Sequence, residues 1–266
     1  MRNVLRNQNP SRFTSNWQEF DITVEDSIKL KGWFIKTDLQ PAKGTVFLLH
    51  GIANCRGSML PLAKVLSENG YNSILFDFRA HGESSGLNCT FGYYEKNDIS
   101  SYIDSAIIRY PNSAPYGILG HSLGAAISLQ ALAHDKRLVC GIVESPFTKL
   151  RTIVHDYFAR IAFIRLDCIP DKALLYTEKI ANFKIDSVQP ILSARQINQP
   201  VMVVHGMLDK HISVTYGKEI YDSLKSSEKE WYPIANGEHN NLPQVGGNEL
   251  NQRIITFFNK HLVKAN

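Results

Sequence analysis

Serine, aspartate and histidine together carry out acyl transfer through a covalent intermediate. In this chain they stand as Ser122, Asp209 and His239. Ser122 is the centre of Gly120-His121-Ser122-Leu123-Gly124, a G-x-S-x-G pattern. Between a strand and a helix, that pattern holds its serine on a sharp turn with the hydroxyl clear of the sheet. Glycines on either side leave room for strand and helix to pass close together. The helix N-terminus that follows places partial positive charge where an oxyanion develops. The bland alternative is a glycine-flanked turn carrying a solvated serine.

The chemistry also needs an upstream oxyanion donor, then an acid and a histidine downstream, in that order. His50-Gly51-Ile52 ends a continuous apolar run. Gly51 lets the chain turn, so the N–H of Ile52 can face Ser122 and form a two-donor oxyanion hole with the N–H of Leu123. His205-Gly206-Met207-Leu208-Asp209 follows another apolar run and offers Asp209 to a histidine Nδ1. Gly237-Glu238-His239-Asn240 lies in a polar loop, with His239 as general base and then general acid. Glu144, at the end of a further apolar run, is the reserve acid or a supporting group. His261 reads as a surface residue beside Lys260. The side chain of His121 is expected to point back into strand–helix packing.

The elements that must position these residues alternate. Phe20–Val24 and Ile28–Ile35 read as an edge hairpin around a turn at 25–27. Runs 44–50, 72–78, 116–119, 139–144 and 200–205 read as buried strands, and 230–233 as a last edge strand. Helices are predicted over 58–68, 93–109, 125–133 and 250–262. The fold class is therefore α/β, a mostly parallel central sheet covered by helices on both faces. Residues 1–19 read as a polar N-terminal arm and 20–266 as one domain. An insertion at about 147–198, after the sixth strand, breaks the alternation with two helix-like pieces over 150–163 and 172–182. Its concentrated aromatic and apolar side chains, Phe147, Tyr157, Phe158, Phe163, Ile164, Tyr176 and Phe183, suit either the wall of an acyl pocket or ordinary helix packing.

Composition excludes several classes. The 266 residues are 44% hydrophobic and 20% charged, which reads as globular rather than disordered. The net charge of +4 is scattered, without the basic–aromatic interleaving of a nucleic-acid surface. Cys55, Cys89, Cys140 and Cys168 lack metal-ligand or C-x-x-C spacing and read as reduced thiols in a cytoplasmic setting. No metal or organic cofactor is expected, and the sequence sets no oligomeric state.

Taken together, His50-Gly51, Asp77-Phe78-Arg79-Ala80-His81-Gly82-Glu83-Ser84, the elbow, Val203 with His205-Gly206 and Asp209, and Gly237 with His239 resemble the α/β-hydrolases. Among them the chain resembles the single-domain group related to serine aminopeptidases and to lipase-like and esterase-like proteins with a small cap. The resemblance covers about 20–262. Ala80 replaces the glycine usual in the D-x-R-G-H-G-x-S loop. The resemblance implies a serine hydrolase acting on a small-molecule acyl ester. A thioesterase, or a peptidase releasing N-terminal residues and holding the substrate ammonium on Asp156, Asp167, Asp171 or Glu178, is the alternative within enzymes. A non-catalytic binding protein on the same fold is the alternative outside them. The resemblance also implies that membrane association would come through an anchor preceding the matched part.

Overall fold

The structure, a computed structural model, describes residues 9–164 and 166–262, so part of the expected N-terminal arm lies outside the described residues. The strands are β1 (Trp17–Glu19), β2 (Ile22–Thr23), β3 (Lys29–Leu30), β4 (Gly32–Ile35), β5 (Gly44–Leu49), β6 (Tyr71–Phe76), β7 (Tyr116–His121), β8 (Leu138–Glu144), β9 (Val201–Gly206) and β10 (Lys229–Ile234). The helices are α1 (Leu60–Glu68), α2 (Glu95–Arg109), α3 (Leu123–His134), α4 (Leu150–Ala162), α5 (Cys168–Ala181), α6 (Pro190–Ala194), α7 (Val214–Ser223) and α8 (Leu242–His261).

Eight strands form one sheet in the order β1-β4-β6-β5-β7-β8-β9-β10. Only β4 runs against the rest. The central strands are apolar on both faces, as their unbroken runs require. Along β5, Phe47 and Leu49 pack toward α2 and α3, while Val46 and Leu48 pack toward α1 and α8. Each helix contributes a buried stripe, such as Ile99, Tyr102, Ile103 and Ala106 of α2, or Leu250, Ile254, Phe257 and Phe258 of α8. A third core lies between β8 and β9 in the chain, where Phe147, Leu150, Ile153, Leu174, Phe183 and Val188 join Ala126 of α3.

The expected hairpin forms around the turn at 25–27, but not at the edge of the main sheet. β2 and β3 pair as a separate two-stranded ribbon, and β4 leaves it to join the main sheet between β1 and β6. The crossing at Gly32 is tight: a side chain there would meet the Tyr102 hydroxyl at 2.7 Å and the Phe20 carbonyl at 2.8 Å. Helices α6 and α7 were not expected. α8 begins at Leu242 rather than 250 and bends at Gly247, whose φ of 49° and ψ of −137° are not helical.

Candidate active site

The chain turns from β7 to α3 at Ser122, whose φ of 56° and ψ of −114° place it outside the ordinary L-residue regions. Holding a residue there costs on the order of 1–3 kcal/mol, sustained only by the surrounding packing. The flanking residues show why the turn needs glycine. A Cβ on Gly120 would overlap the Gly124 carbonyl, and one on Gly124 would overlap the Leu49 carbonyl of β5. The amide of Ser122 donates to the Glu144 carbonyl (2.8 Å), which ties the elbow to the end of β8.

Asp209 and His239 arrive on the loops after β9 and β10, neighbouring parallel strands. The two loops meet through glycine: a Cβ on Gly206 would overlap the Gly237 carbonyl, and the Leu208 amide donates to that carbonyl at 2.8 Å. Asp209 Oδ1 accepts the amides of His211 (2.8 Å) and Ile212 (2.9 Å), leaving Oδ2 to accept from His239 Nδ1 at 2.7 Å. His239 Nε2 lies 2.9 Å from Ser122 Oγ. All three side chains are buried, with Ser122 5% exposed. The structure thus brings Ser122, His239 and Asp209 into one hydrogen-bonded chain.

The electrostatics follow from this arrangement. Burial pushes the Asp209 carboxyl up. Hydrogen bonds from His205 and His239, the His239 charge and the Ile212 amide outweigh that and hold it well below the usual carboxylate range. Burial lowers His239 below its ordinary value, and the nearby His121 and His211 rings act in the same direction. The hydrogen bond to Asp209 opposes them. The net shift favours the neutral ring.

Gly51 passes close to Ser122, where a side chain would lie 3.6 Å from Ser122 Cβ. The buried His50 fixes this crossing. Its Nδ1 donates to the Gly51 carbonyl (2.8 Å) and its Nε2 accepts from the Phe78 amide (3.2 Å). Burial, then the adjacent His81, lower His50 to about 3, so it stays neutral and can play both parts. With the Gly51 carbonyl drawn to His50, the Ile52 N–H of the same planar peptide points the opposite way. The Leu123 N–H belongs to the first turn of α3 and has no intrahelical acceptor. Further along this loop, Asp77 accepts the Arg56 amide at 2.7 Å and pairs with the Arg56 guanidinium. That guanidinium also pairs with Glu83 and lies 4.2 Å from the Trp33 ring centre. Segment 51–56 is therefore clamped at both ends by residues 77–83. Ala80 in that clamp has a φ of 61°, which explains why glycine is the easier residue there.

Glu144 does not reach His239 in this arrangement. Its carboxylate faces His121 Nδ1 at 3.6 Å. His121 departs from expectation: its ring centre lies 5.0 Å from that of His239, beside the site rather than turned into the packing below. His211, also unanticipated, lies beside the same ring, its centre 5.3 Å from that of His239. Its nearness in sequence to Asp209 was the available signal. α4 leans on the loop carrying Asp209, because Arg160 Nη1 donates to the Lys210 carbonyl (2.8 Å) and Tyr216 bonds Asp156. Among the described residues no group of His, Cys, Asp and Glu is placed to hold a metal ion, and no helix is long and apolar enough to cross a membrane.

A mostly parallel sheet of this order, helix-covered and with its elbow after β7, is the α/β-hydrolase fold. Comparison with known proteins carries this further. The chain belongs to the family described as serine aminopeptidase, S33, whose model matches residues 40–190. It is similar to the esterase Pf2001 of Pyrococcus furiosus, with a TM-score of 0.81 and 26% identity over 98% of this chain and 99% of that one. It is 28% identical over 230 residues to YfhR of Escherichia coli strain K12, covering 84% of this chain and 73% of that protein. It is also 27% identical over 214 residues to the lysophosphatidylserine lipase ABHD12 of Danio rerio. That match covers 74% of this chain and 51% of the relative, so the chain spans about half of that protein.

Proposed function

We propose that the protein is a serine hydrolase that cleaves carboxylic esters through an acyl-enzyme. His239 Nε2 takes the proton from Ser122 Oγ as the oxygen attacks the ester carbonyl. The tetrahedral oxyanion is held by the N–H groups of Ile52 and Leu123. The protonated His239 gives its proton to the leaving alcohol, and the acyl group stays on Ser122. Water, deprotonated by His239, then attacks the acyl carbonyl and frees the carboxylic acid and the serine. Asp209 holds the imidazole in the Nδ1–H tautomer and stabilises the imidazolium. The observation that carries the reading is the single imidazole lying 2.9 Å from a strained serine hydroxyl and 2.7 Å from a buried carboxylate.

An ester is favoured over a peptide N-terminus by the fate of the four acidic residues of the segment we read as a cap, about 147–198. Asp167 and Asp171 face His155, Asp171 also pairs with Arg151, Asp156 bonds Tyr216, and Glu178 accepts the Ile185 amide. Asp156, Asp171 and Glu178 are thereby engaged within the fold, and Asp167 is turned to solvent beside His155. The esterase named among the similar structures agrees with this choice. The four cysteines are free, which suits a reducing, cytoplasmic setting.

The test is hydrolysis of p-nitrophenyl esters across acyl lengths by the wild type and Ser122→Ala, beside aminoacyl amides. Turnover of esters by the wild type and background rates for the variant are expected. Equal rates for both, or turnover of amides alone, would discard the ester reading.

A further inference from the structure

Helix α5 is amphipathic in an unusual sense. Its inner stripe, Pro170, Leu174 and Ala181, is buried, with Leu174 and Ala181 in the third core. Its outer stripe is also largely apolar: Ile169, Leu175, Tyr176 and Ile180 are exposed, with Tyr176 at 67%. Surface helices ordinarily turn a polar face outward. The patch continues into the end of α4, where Ile161 is exposed, and the turn before α5, where Ile164 and Leu166 are exposed. Phe163 stands 91% exposed at a left-handed φ of 56°, a backbone conformation that a bulky side chain rarely adopts. A second element extends it. The Tyr94 hydroxyl donates to the Asn182 carbonyl at 2.7 Å, which joins the segment after β6 to the end of α5, and in that segment Leu87 is 91% exposed. Contiguous apolar surface drawn from several elements marks an interaction site.

The charges choose the occupant. Asp156, Asp171 and Glu178 of α4 and α5 are engaged by Tyr216, by Arg151 and by the Ile185 amide, and Asp167, just before α5, stays exposed beside His155. Lys172 and Lys179, two turns apart on the exposed face of α5, have no ion-pair or hydrogen-bond partner among the described residues. The face therefore combines apolar side chains with uncompensated cations. A second copy fits it poorly. Antiparallel pairing of two α5 helices about a twofold axis between Leu175 and Tyr176 sets Lys172 against Lys179 of the other copy, twice. A lipid surface fits both features, because the apolar side chains enter the acyl boundary while lysine stems lie along it and their ammonium groups meet anionic headgroups.

We propose that the exposed face of α5 and the turn preceding it form a docking surface for anionic lipid bilayers. The surface is separate from Ser122, so docking does not depend on the catalytic reading. The experiment is cosedimentation of the full chain with vesicles of phosphatidylcholine alone, or mixed with phosphatidylglycerol, at low and high salt. Binding to the mixed vesicles, weakened by salt, is expected. Lys172→Ala with Lys179→Ala should reduce it about 30-fold, about fivefold for each lysine at a membrane surface. Phe163→Glu with Tyr176→Glu should abolish it, with the thermal midpoint and the rate on a soluble short-chain ester unchanged. Ser122→Ala should bind like wild type. No cosedimentation with mixed vesicles at low salt, or binding unaffected by Phe163→Glu with Tyr176→Glu, would overturn the proposal. A concentration-dependent dimer in light scattering, lost in that same variant, would assign the face to a second copy instead.

Discussion

Asp209→Asn separates the proposed acid from every other reading of the site. The amide is nearly the same size as the carboxylate but has only one acceptor oxygen. In the wild type, one oxygen takes two backbone amides at 2.8 and 2.9 Å and the other faces His239 Nδ1 at 2.7 Å. Asparagine can satisfy one of these sets and must present N–H groups to the other. With its oxygen kept on the amides, its NH₂ donates to Nδ1, so the imidazole carries its proton on Nε2. That nitrogen then donates toward Ser122 Oγ and can no longer accept from it. The loss expected from a wrong tautomer is about 10⁴ in kcat, on the order of 5 kcal/mol of transition-state stabilisation. KM should change little, because no substrate contact is removed.

Two further readouts follow from the same carboxylate. Asp209 raises the His239 pKa in the wild type, so residual activity of Asp209→Asn should have its acid limb at lower pH. Because the folded-state pKa of Asp209 is depressed, its ionised form adds stability that is fully present above its unfolded value of about 4 and is lost as pH falls through the folded value. The difference in stability between wild type and variant should therefore narrow under acid. The assay is kcat and KM on a p-nitrophenyl ester across pH, with thermal melts alongside. A variant within about tenfold of wild type in kcat would refute the assignment. Glu144→Gln is the paired control and should stay within about tenfold, since its carboxylate faces His121 rather than His239. The opposite ranking would move the acid to Glu144.

Other consequences are simpler. His239 must be neutral to accept a proton and burial lowers its pKa, so the acid limb of kcat/KM should fall below its ordinary value of about 6.5. A limb above neutral pH would contradict this. Ala80→Gly should raise the unfolding free energy by up to about 1 kcal/mol, because the φ of 61° strains a Cβ by more than glycine's added chain entropy costs. A lower thermal midpoint would show that the strain is absent.

Sequence was most informative where a local steric demand admits few residues. The elbow is the clearest instance: Gly120 and Gly124 are needed because a Cβ at either would run into backbone, and G-x-S-x-G records that demand directly. The buried strands were legible as unbroken apolar runs, because both faces of a helix-covered sheet exclude water. Ser122 and Asp209 could be named because each lies just beyond such a run, and His239 because it lies in the polar loop after the last edge strand, all at the edge where the parallel strands end. What stayed hidden involves partners distant in the chain. Only the apposition of Gly206 and Gly237 shows how the Asp209 and His239 loops fit against one another. The flanking of His239 by His121 and His211, and the turning of Glu144 to His121 instead, depend on loop directions that no periodicity encodes. The aromatic residues of the 147–198 segment divide likewise: Phe147 and Phe183 are buried in the third core, while Phe163 and Tyr176 face outward. A side chain's type records what it can do, and its spacing records the element it belongs to. Which neighbour it meets is decided by packing among elements far apart in sequence, and only the tertiary structure decides that.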